Sequence, residues 1–304
     1  MNRLFPRPQL YPRPKLERLP EGALMTIGIG VLCSTRPKPS QPRPDCIILV
    51  SDTMGSTDFD STDELLKNFR NDDSKFYVVC AGVIERSAEL VPIIQHKIGA
   101  LKRRSHGTLQ VALHEAATEY KRERFYLDVV HSFYSQDQAE LRTRFSQEWQ
   151  QYSLYNTDCQ MIVGTFDDNG MAFLYEISQS EQELGLVHLR EFPGFATIGT
   201  GGWNASFWLK YRGQQLSLNE QQSSYHAYEA KKMASKTPTV NERINFLIAT
   251  AKGSFALTDD EPEQRGCPVS LANLRERFSK YGPQDTTCLG FATPSTSRMS
   301  ELEP

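Results

Sequence analysis

The stretch Met25–Cys33 constrains the fold of this chain more than any other. It alternates Thr, Gly and Ile in the manner of a short β-strand, and Thr26 stands at its leading edge. A second stretch, Cys46–Val50, is apolar throughout, which is typical of a strand buried on both faces, and it runs directly towards Asp52. The pattern predicts two strands that bring a threonine and an acid close together.

The composition excludes several classes of protein. An apolar fraction of 39% and a mean hydropathy of -0.49 fit a soluble chain with a hydrophobic core. The net charge of -3 gives no electrostatic footprint for nucleic acid, and no apolar run is long enough for a membrane span. The six cysteines are scattered without a Cys-x-x-Cys pair, which predicts a reducing, cytoplasmic environment and no metal site. We expect no cofactor.

Proline-rich segments flank the first predicted strand. Met1–Leu24 carries prolines at 6, 8, 12, 14 and 20 and is predicted to be an extended tail or propeptide. Ser34–Asp45, with prolines at 37, 39, 42 and 44, is predicted to be a long loop. We therefore predict one domain over residues 26–292, preceded by the tail at 1–24 and followed by a polar tail at 293–304.

The order of predicted elements indicates an α+β fold. The clearest hairpin surrounds Asn169-Gly170, a pair that supplies the positive φ angles of a tight turn. Further strands are predicted at Lys75–Ala81, Cys159–Thr165, Met171–Ile177, Leu184–Arg190, Phe195–Ile198 and Cys288–Ala292. Helices are predicted from Ile84, over about Leu109–Trp149, from Asn204 and over Thr239–Lys252. This order predicts a four-layer αββα sandwich of two antiparallel sheets.

Thr26 is the candidate nucleophile. A threonine at a free N-terminus can transfer acyl groups through its hydroxyl, with its own α-amine, of pKa about 7.7–8.0, as general base. Asp52, Lys67 and the Gly82 N–H follow in the order in which an acid, a lysine and an oxyanion donor would be needed. Each residue alone more often has a structural role, as a strand opener, a turn residue or a solvated lysine. Only their ordered combination favours a catalytic site.

These residues resemble the proteasome β-subunit family of N-terminal-nucleophile hydrolases, which includes a bacterial two-ring threonine protease that works with an ATP-driven unfoldase. The similar segments are Thr26–Val31, Val50–Thr53, Leu66–Phe69, Cys80–Gly82, Ile162–Ile177 and Ala196–Gly202. In the last of these, Thr200 stands where the family has a serine. The resemblance spans roughly Thr26–Lys252.

The resemblance implies the N-terminal-nucleophile hydrolase fold and a threonine-type peptidase. It assigns Thr26 as the nucleophile and Asp52 as the acid. Lys67 would tune the α-amine, Thr200 would support it, and the Gly82 N–H would bind the oxyanion. It implies a substrate pocket lined by Ser56, Leu65, Phe69, Cys80 and Ile84. The alternative is that Leu65, Phe69, Cys80 and Ile84 only pack the sheet against the first helix. The implied partners are polypeptide substrates, further copies of the chain in a homo-oligomeric ring and, as a further possibility, an ATP-dependent unfoldase.

Two departures from the family pattern leave alternatives open. The Asp-x-x-Ser-x-Gly element expected after the predicted helix that ends near Lys252 is replaced by Gly253–Leu257. Met25 precedes the threonine where self-processing precursors usually carry glycine. The chain could instead be a non-catalytic ring subunit, or a small-molecule amidase of the same superfold. The sequence specifies neither the ring size, the unfoldase nor the physiological substrate, nor whether Thr26 becomes the N-terminus.

Overall fold

The structure is a computed structural model of the chain. It describes residues 27–35, 43–52, 55–56, 61–62, 68–82, 84–127, 152, 155, 157, 159–180, 183–190, 193–236, 240–258 and 267–283. The strands are β1 (Gly28–Cys33), β2 (Cys46–Ser51), β3 (Gly55–Ser56), β4 (Ser61–Thr62), β5 (Asn68–Asn71), β6 (Phe76–Gly82), β7 (Cys159–Phe166), β8 (Ala172–Ser180), β9 (Glu183–Leu189), β10 (Phe195–Ile198), β11 (Asn245–Thr250) and β12 (Gly253–Thr258). The helices are α1 (Ile84–Gly99), α2 (His106–Phe125), α3 (Gly202–Tyr211), α4 (Glu220–Ala234) and α5 (Leu271–Tyr281).

Most of these strands form two five-stranded sheets. The first sheet has the strand order β10–β1–β2–β11–β12, and the second has the order β5–β6–β7–β8–β9. Every neighbouring pair in both sheets is antiparallel. Among the described residues, β3 and β4 form a separate two-stranded sheet. The predicted hairpin is confirmed as β7–β8, with its turn at Asn169-Gly170.

The two sheets and the helices outside them form four layers, and an apolar cluster lies at each of the three interfaces between them. One cluster joins α3, α4 and α5 to β1, β2 and β11 of the first sheet. Another joins α1 and α2 to the central strands of the second sheet. The third lies between the two sheets, where side chains such as Leu49, Val79 and Leu174 meet. The predicted αββα sandwich is therefore confirmed.

The alternation in the first strand follows from this layering. The side chains of Ile29 and Val31 face the helices, in the cluster shared with α3 and α4. Gly30 faces the second sheet, where a Cβ atom at this position would lie 2.7 Å from Ile162 Cγ2. The glycines of β1 therefore allow the two sheets to approach closely.

The predicted helix over Thr239–Lys252 is wrong. Residues 245–250 form strand β11, and residues 251–252 form the turn to β12. Phe246 and Ile248 face the helices, whereas Leu247 and Ala249 face the second sheet. Because β11 is buried on both faces, its continuous apolar run satisfies a helical period as well as a strand period.

Two helices, α4 and α5, were not predicted from the sequence. The region after Lys252 does not follow a helix, because the predicted helix there is strand β11. Helix α4 ends at Ala234 and is followed by residues 235–241. That segment reads Ser-Lys-Thr-Pro-Thr-Val-Asn and also lacks the Asp-x-x-Ser-x-Gly element.

Several predicted segments lie outside the described residues. These are both terminal tails, the part of the predicted helix beyond residue 127, and the strand at 288–292. Within the described part of the chain, no helix combines the length and the apolar character needed to cross a membrane.

Candidate active site

The first strand begins beside a buried acid. The Ile27 N–H donates a hydrogen bond to Asp52 Oδ1 at 3.5 Å, and Asp52 is fully buried. The register of β1 and β2 pairs Gly28 with Ser51, so Ile27 and Asp52 lie opposite each other just beyond the ladder. Thr26 lies outside the described residues, but it is bonded directly to Ile27.

The turn at residues 199–202 packs against the same point. Strand β10 pairs with β1, with Ile198 opposite Gly28. A Cβ atom at Gly201 would lie 3.3 Å from Ile27 Cβ, so this turn touches the beginning of β1. Thr200 is exposed within the turn. The turn therefore brings Thr200 to the end of the sheet where Asp52 lies.

Gly82 ends strand β6 in the facing sheet. Its φ angle is +87°, in the left-handed region that favours glycine, and it is exposed to solvent. A Cβ atom at Gly28 would lie 3.1 Å from Val79 Cγ2, so β1 and β6 are in direct contact. Gly82 follows Val79 by three residues and therefore lies at the end of a strand that packs on β1.

Gln160 connects the two sheets at this end. Its side-chain Oε1 accepts a hydrogen bond of 2.9 Å from the Gly199 N–H. On β7 it pairs with Ala81 of β6, the residue before Gly82. Sequence reasoning missed Gln160, since the contact joins residues 39 positions apart and no local motif marks it.

Of the six remaining predicted site residues, four belong to the described part of the chain. Lys67 and Leu65 lie outside the described residues. Ser56 belongs to β3 and Ile84 opens α1. Phe69 is half-buried on β5 and packs against the cluster between the second sheet and its helices. Cys80 is fully buried within the same cluster, so both side chains contribute to the packing of the second sheet against its helices.

The loop after α4 also reaches the site. A Cβ atom at Gly201 would lie 3.0 Å from Val240 Cγ2, next to its contact with Ile27. The buried Lys231 Nζ donates hydrogen bonds to Ser235 Oγ at 2.7 Å and to the Asn241 carbonyl oxygen at 2.6 Å. Ser235 and Asn241, which flank the undescribed residues 237–239, are therefore both bonded to Lys231 of α4.

Buried polar contacts hold α3 and α4 together behind the turn. The Arg212 guanidinium donates through Nε and Nη2 to the two carboxylate oxygens of Glu229, whose side chain is fully buried. Burial raises the pKa of Glu229, and Arg212 opposes that rise. Burial, assisted by Arg212 and Arg277, lowers the pKa of His226 to about 4, and His226 Nδ1 lies 3.0 Å from Gln214 Oε1. The imidazole is therefore neutral near pH 7.

Comparisons with known proteins give a structural neighbour but no sequence relative. No family model matches the sequence, and no curated protein matches it significantly. The fold is similar to that of HslV from Trypanosoma brucei, with a TM-score of 0.48 and 17% identity over 74% of this chain and 99% of that chain. HslV is a proteasome-family N-terminal threonine protease, and the sequence motifs resemble that family. At this level of similarity the neighbour assigns no activity and no residue role to this chain.

Proposed function

We propose that this chain is a threonine-type peptidase of a proteasome-like assembly, with Thr26 as its N-terminal nucleophile. The carrying observation is the hydrogen bond from the Ile27 N–H to the buried Asp52 carboxylate. Since Thr26 precedes Ile27 directly, this bond supports a nucleophile held beside an acid. The exposed Gly82 at the end of the adjoining sheet supports an oxyanion donor nearby.

The proposed reaction uses the two functional groups of one residue. The Thr26 hydroxyl attacks the carbonyl carbon of the scissile peptide while the free α-amine accepts the hydroxyl proton. The Gly82 N–H stabilises the oxyanion of the tetrahedral intermediate. The intermediate collapses to an ester on Thr26, and the protonated amine gives its proton to the leaving amine. Water, deprotonated by the same amine, then hydrolyses the ester and restores the threonine.

Asp52 and Lys67 are proposed to set the electrostatic field around the amine. A fully buried carboxylate is costly unless a cation or hydrogen-bond donors compensate it. The Ile27 N–H is one such donor, and the Lys67 ammonium is proposed as the cation. A nearby ammonium would also favour the neutral form of the α-amine by like-charge repulsion, which suits a general base. Thr200 is proposed to support the amine from the facing turn.

The proposed substrates are unfolded polypeptides, with an apolar side chain before the cut bond. Leu65, Phe69 and Ile84 are apolar, and Ser56 and Cys80 are uncharged, so none would pair with a charged substrate side chain. A ring of copies of this chain would exclude folded proteins from the nucleophile, which is why an ATP-dependent unfoldase is the proposed partner.

A non-catalytic ring subunit is the second candidate. Val240 packs beside Gly201, and the sequence around it at residues 235–241, Ser-Lys-Thr-Pro-Thr-Val-Asn, carries no acid. Instead, Lys231 and Ser235 both bond to the Asn241 carbonyl oxygen. A chain with this loop could have kept the fold and lost the support for the amine.

A peptide carrying an α′,β′-epoxyketone distinguishes the two candidates, because stable ring closure requires a hydroxyl and a free amine on the same residue. The natural assembly should be labelled at Thr26, as located by peptide mapping. Thr26→Ser should remain labelled, whereas the isosteric Thr26→Val should not. An unlabelled assembly whose chains begin at Thr26 would establish the non-catalytic subunit. Active particles no larger than dimers would instead favour an amidase.

A further inference from the structure

Helix α3 presents aromatic rings to solvent. Trp203 is 82% exposed and Phe207 is 46% exposed. Phe207 and Tyr211 stack with their ring centroids 6.2 Å apart. Trp203, Phe207 and Tyr211 are spaced at i, i+4 and i+8, so they follow one side of the helix. We call these three residues the α3 aromatic face.

This face is not needed to attach the helix to the domain. The opposite side of α3 supplies Ala205 and Leu209, both fully buried, to the cluster above the first sheet. Trp208 packs against the same cluster and contacts Tyr211 at 5.1 Å between ring centroids. An exposed group of large aromatic rings beside a complete core is typical of a binding surface.

The chain enters the domain beside the start of this helix. A Cβ atom at Gly201 would lie 3.3 Å from Ile27 Cβ, and α3 begins at the next residue, Gly202. Trp203 is therefore two residues from a direct contact with Ile27. Residues 1–26 are attached at this point, so any segment within them is tethered close to the α3 aromatic face.

The attached segment has the chemistry that aromatic surfaces bind. Pro-Arg-Pro occurs at residues 6–8 and again at 12–14. Prolines in a polyproline II conformation dock into aromatic-lined surfaces, and arginine guanidinium groups stack on tryptophan. The only charged side chain of α3 is Lys210, near its far end. The Arg212 guanidinium lies 6.0 Å from the Tyr211 ring at that same end, so within the helix no cation competes for the Trp203 ring.

The length of the tail also fits docking on the α3 aromatic face. A Pro-Arg-Pro unit spans about 6 Å in polyproline II, and residues four apart on a helix are separated by about 6 Å along its axis. The twelve residues between Pro14 and Ile27 extend to about 40 Å, more than enough to return along a ten-residue helix of about 15 Å. We propose that the Pro-Arg-Pro repeats of residues 1–24 dock on the α3 aromatic face of the same chain.

The tether favours this occupant over a second copy of the chain. A short linker gives the tail an effective concentration on the order of 1 mM at this face. A contact with a Kd of about 0.1 mM would therefore be formed in about 90% of the molecules. A second copy would need that concentration of protein in solution. The docked state concerns the uncut chain and does not depend on the chemistry of Thr26.

Acrylamide quenching of Trp203 fluorescence tests the proposal. The chain contains three tryptophans, and Trp149→Phe with Trp208→Phe leaves Trp203 alone. The Thr26→Ala background prevents self-processing, and intact mass verifies that Met1 is present. Serine replaces Pro6, Pro8, Pro12 and Pro14 in the test variant. In the control variant, serine replaces the loop prolines Pro37, Pro39 and Pro42.

The proposal predicts weak quenching in the parent chain and in the loop control. In the tail variant, quenching of Trp203 should rise several-fold. The rise would reach about tenfold if the tail is docked in about 90% of the parent molecules. Equally strong quenching of Trp203 in the parent, the tail variant and the loop control would overturn the proposal. So would protection that survives the tail substitutions, and protection lost on dilution would identify a second copy as the occupant. If the single-tryptophan chain does not fold, 5-fluorotryptophan in the otherwise unchanged chain gives the same comparison by 19F NMR, with Trp203→Phe assigning the signal.

Discussion

Gln160 Oε1 on β7 accepts a hydrogen bond of 2.9 Å from the backbone N–H of Gly199, across the two sheets. Gly199 precedes Thr200, and Gln160 pairs with Ala81, which precedes Gly82. One side chain therefore connects the turn proposed to support the nucleophile with the strand end proposed to bind the oxyanion. We infer that Gln160 is a positioning residue.

Replacing Gln160 with alanine should lower kcat about fivefold, because a net hydrogen bond of about 1 kcal/mol corresponds to that factor in rate. KM should change little, since Gln160 is not proposed to touch the substrate. Gln160→Glu keeps the acceptor oxygen and should restore most of the rate. Amide hydrogen exchange at Gly199 should quicken only in the alanine variant. An unchanged kcat together with faster exchange would limit Gln160 to a structural role.

Lys67→Ala should abolish peptide hydrolysis, with a loss of roughly 10³-fold or more, because the proposed ammonium keeps the α-amine neutral. Assembly, measured by sedimentation, should be unaffected. Lys75→Ala is the matched control, since Lys75 lies in the turn between β5 and β6. Full activity of the Lys67 variant would contradict the assignment, and a loss in the Lys75 variant instead would transfer the role to that residue.

The layered fold could be predicted because its strongest signals are local. The alternation of glycine and isoleucine in β1, the apolar run of β2 and the Asn169-Gly170 turn each specify their own element. Strand β11 was mistaken for a helix because burial on both faces removes the alternation that marks a strand. Helix α4 was missed because it buries Glu229 and Lys231, whose partners Arg212 and Asn241 lie outside the helix.

The candidate site could be predicted only in part. Asp52 and Gly82 stand at strand ends, a position that the apolar runs before them reveal. Gln160 could not be found, because its role depends on the packing of two sheets. The roles of Thr26 and Lys67 stay predictions, since both residues lie outside the described part of the chain.

Folding stability should fall on acidification through His226. The folded-state pKa of His226 is lowered to about 4, chiefly by burial, so the unfolded chain binds a proton at higher pH than the folded chain. Its contribution is complete above about pH 6.5 and is lost as the pH falls towards 4, by up to about 3 kcal/mol. Urea unfolding of wild type and His226→Gln at pH 4.5 and 7 measures this. The variant should lose less stability on acidification, whereas His114→Gln, at an exposed position on α2, should match wild type. Equal losses in all three proteins would show that His226 does not titrate in this range.

Substrate preference should follow the uncharged pocket. Burial of a Leu or Tyr side chain contributes about 1.5–3 kcal/mol, and a charged side chain would be desolvated without a partner. Fluorogenic peptides with Leu, Tyr, Arg or Glu before the reporter should therefore be cleaved after Leu and Tyr. Preferred cleavage after Arg or Glu is incompatible with a pocket built from Ser56, Leu65, Phe69, Cys80 and Ile84.

The intact mass of the active assembly tests the central claim most directly. An amide nitrogen cannot accept the hydroxyl proton, so a chain that continues before Thr26 has no general base for the proposed reaction. Mass spectrometry of purified, peptide-hydrolysing protein should show chains that begin at Thr26, without residues 1–25. Active protein whose chains all retain Met1 would contradict the mechanism.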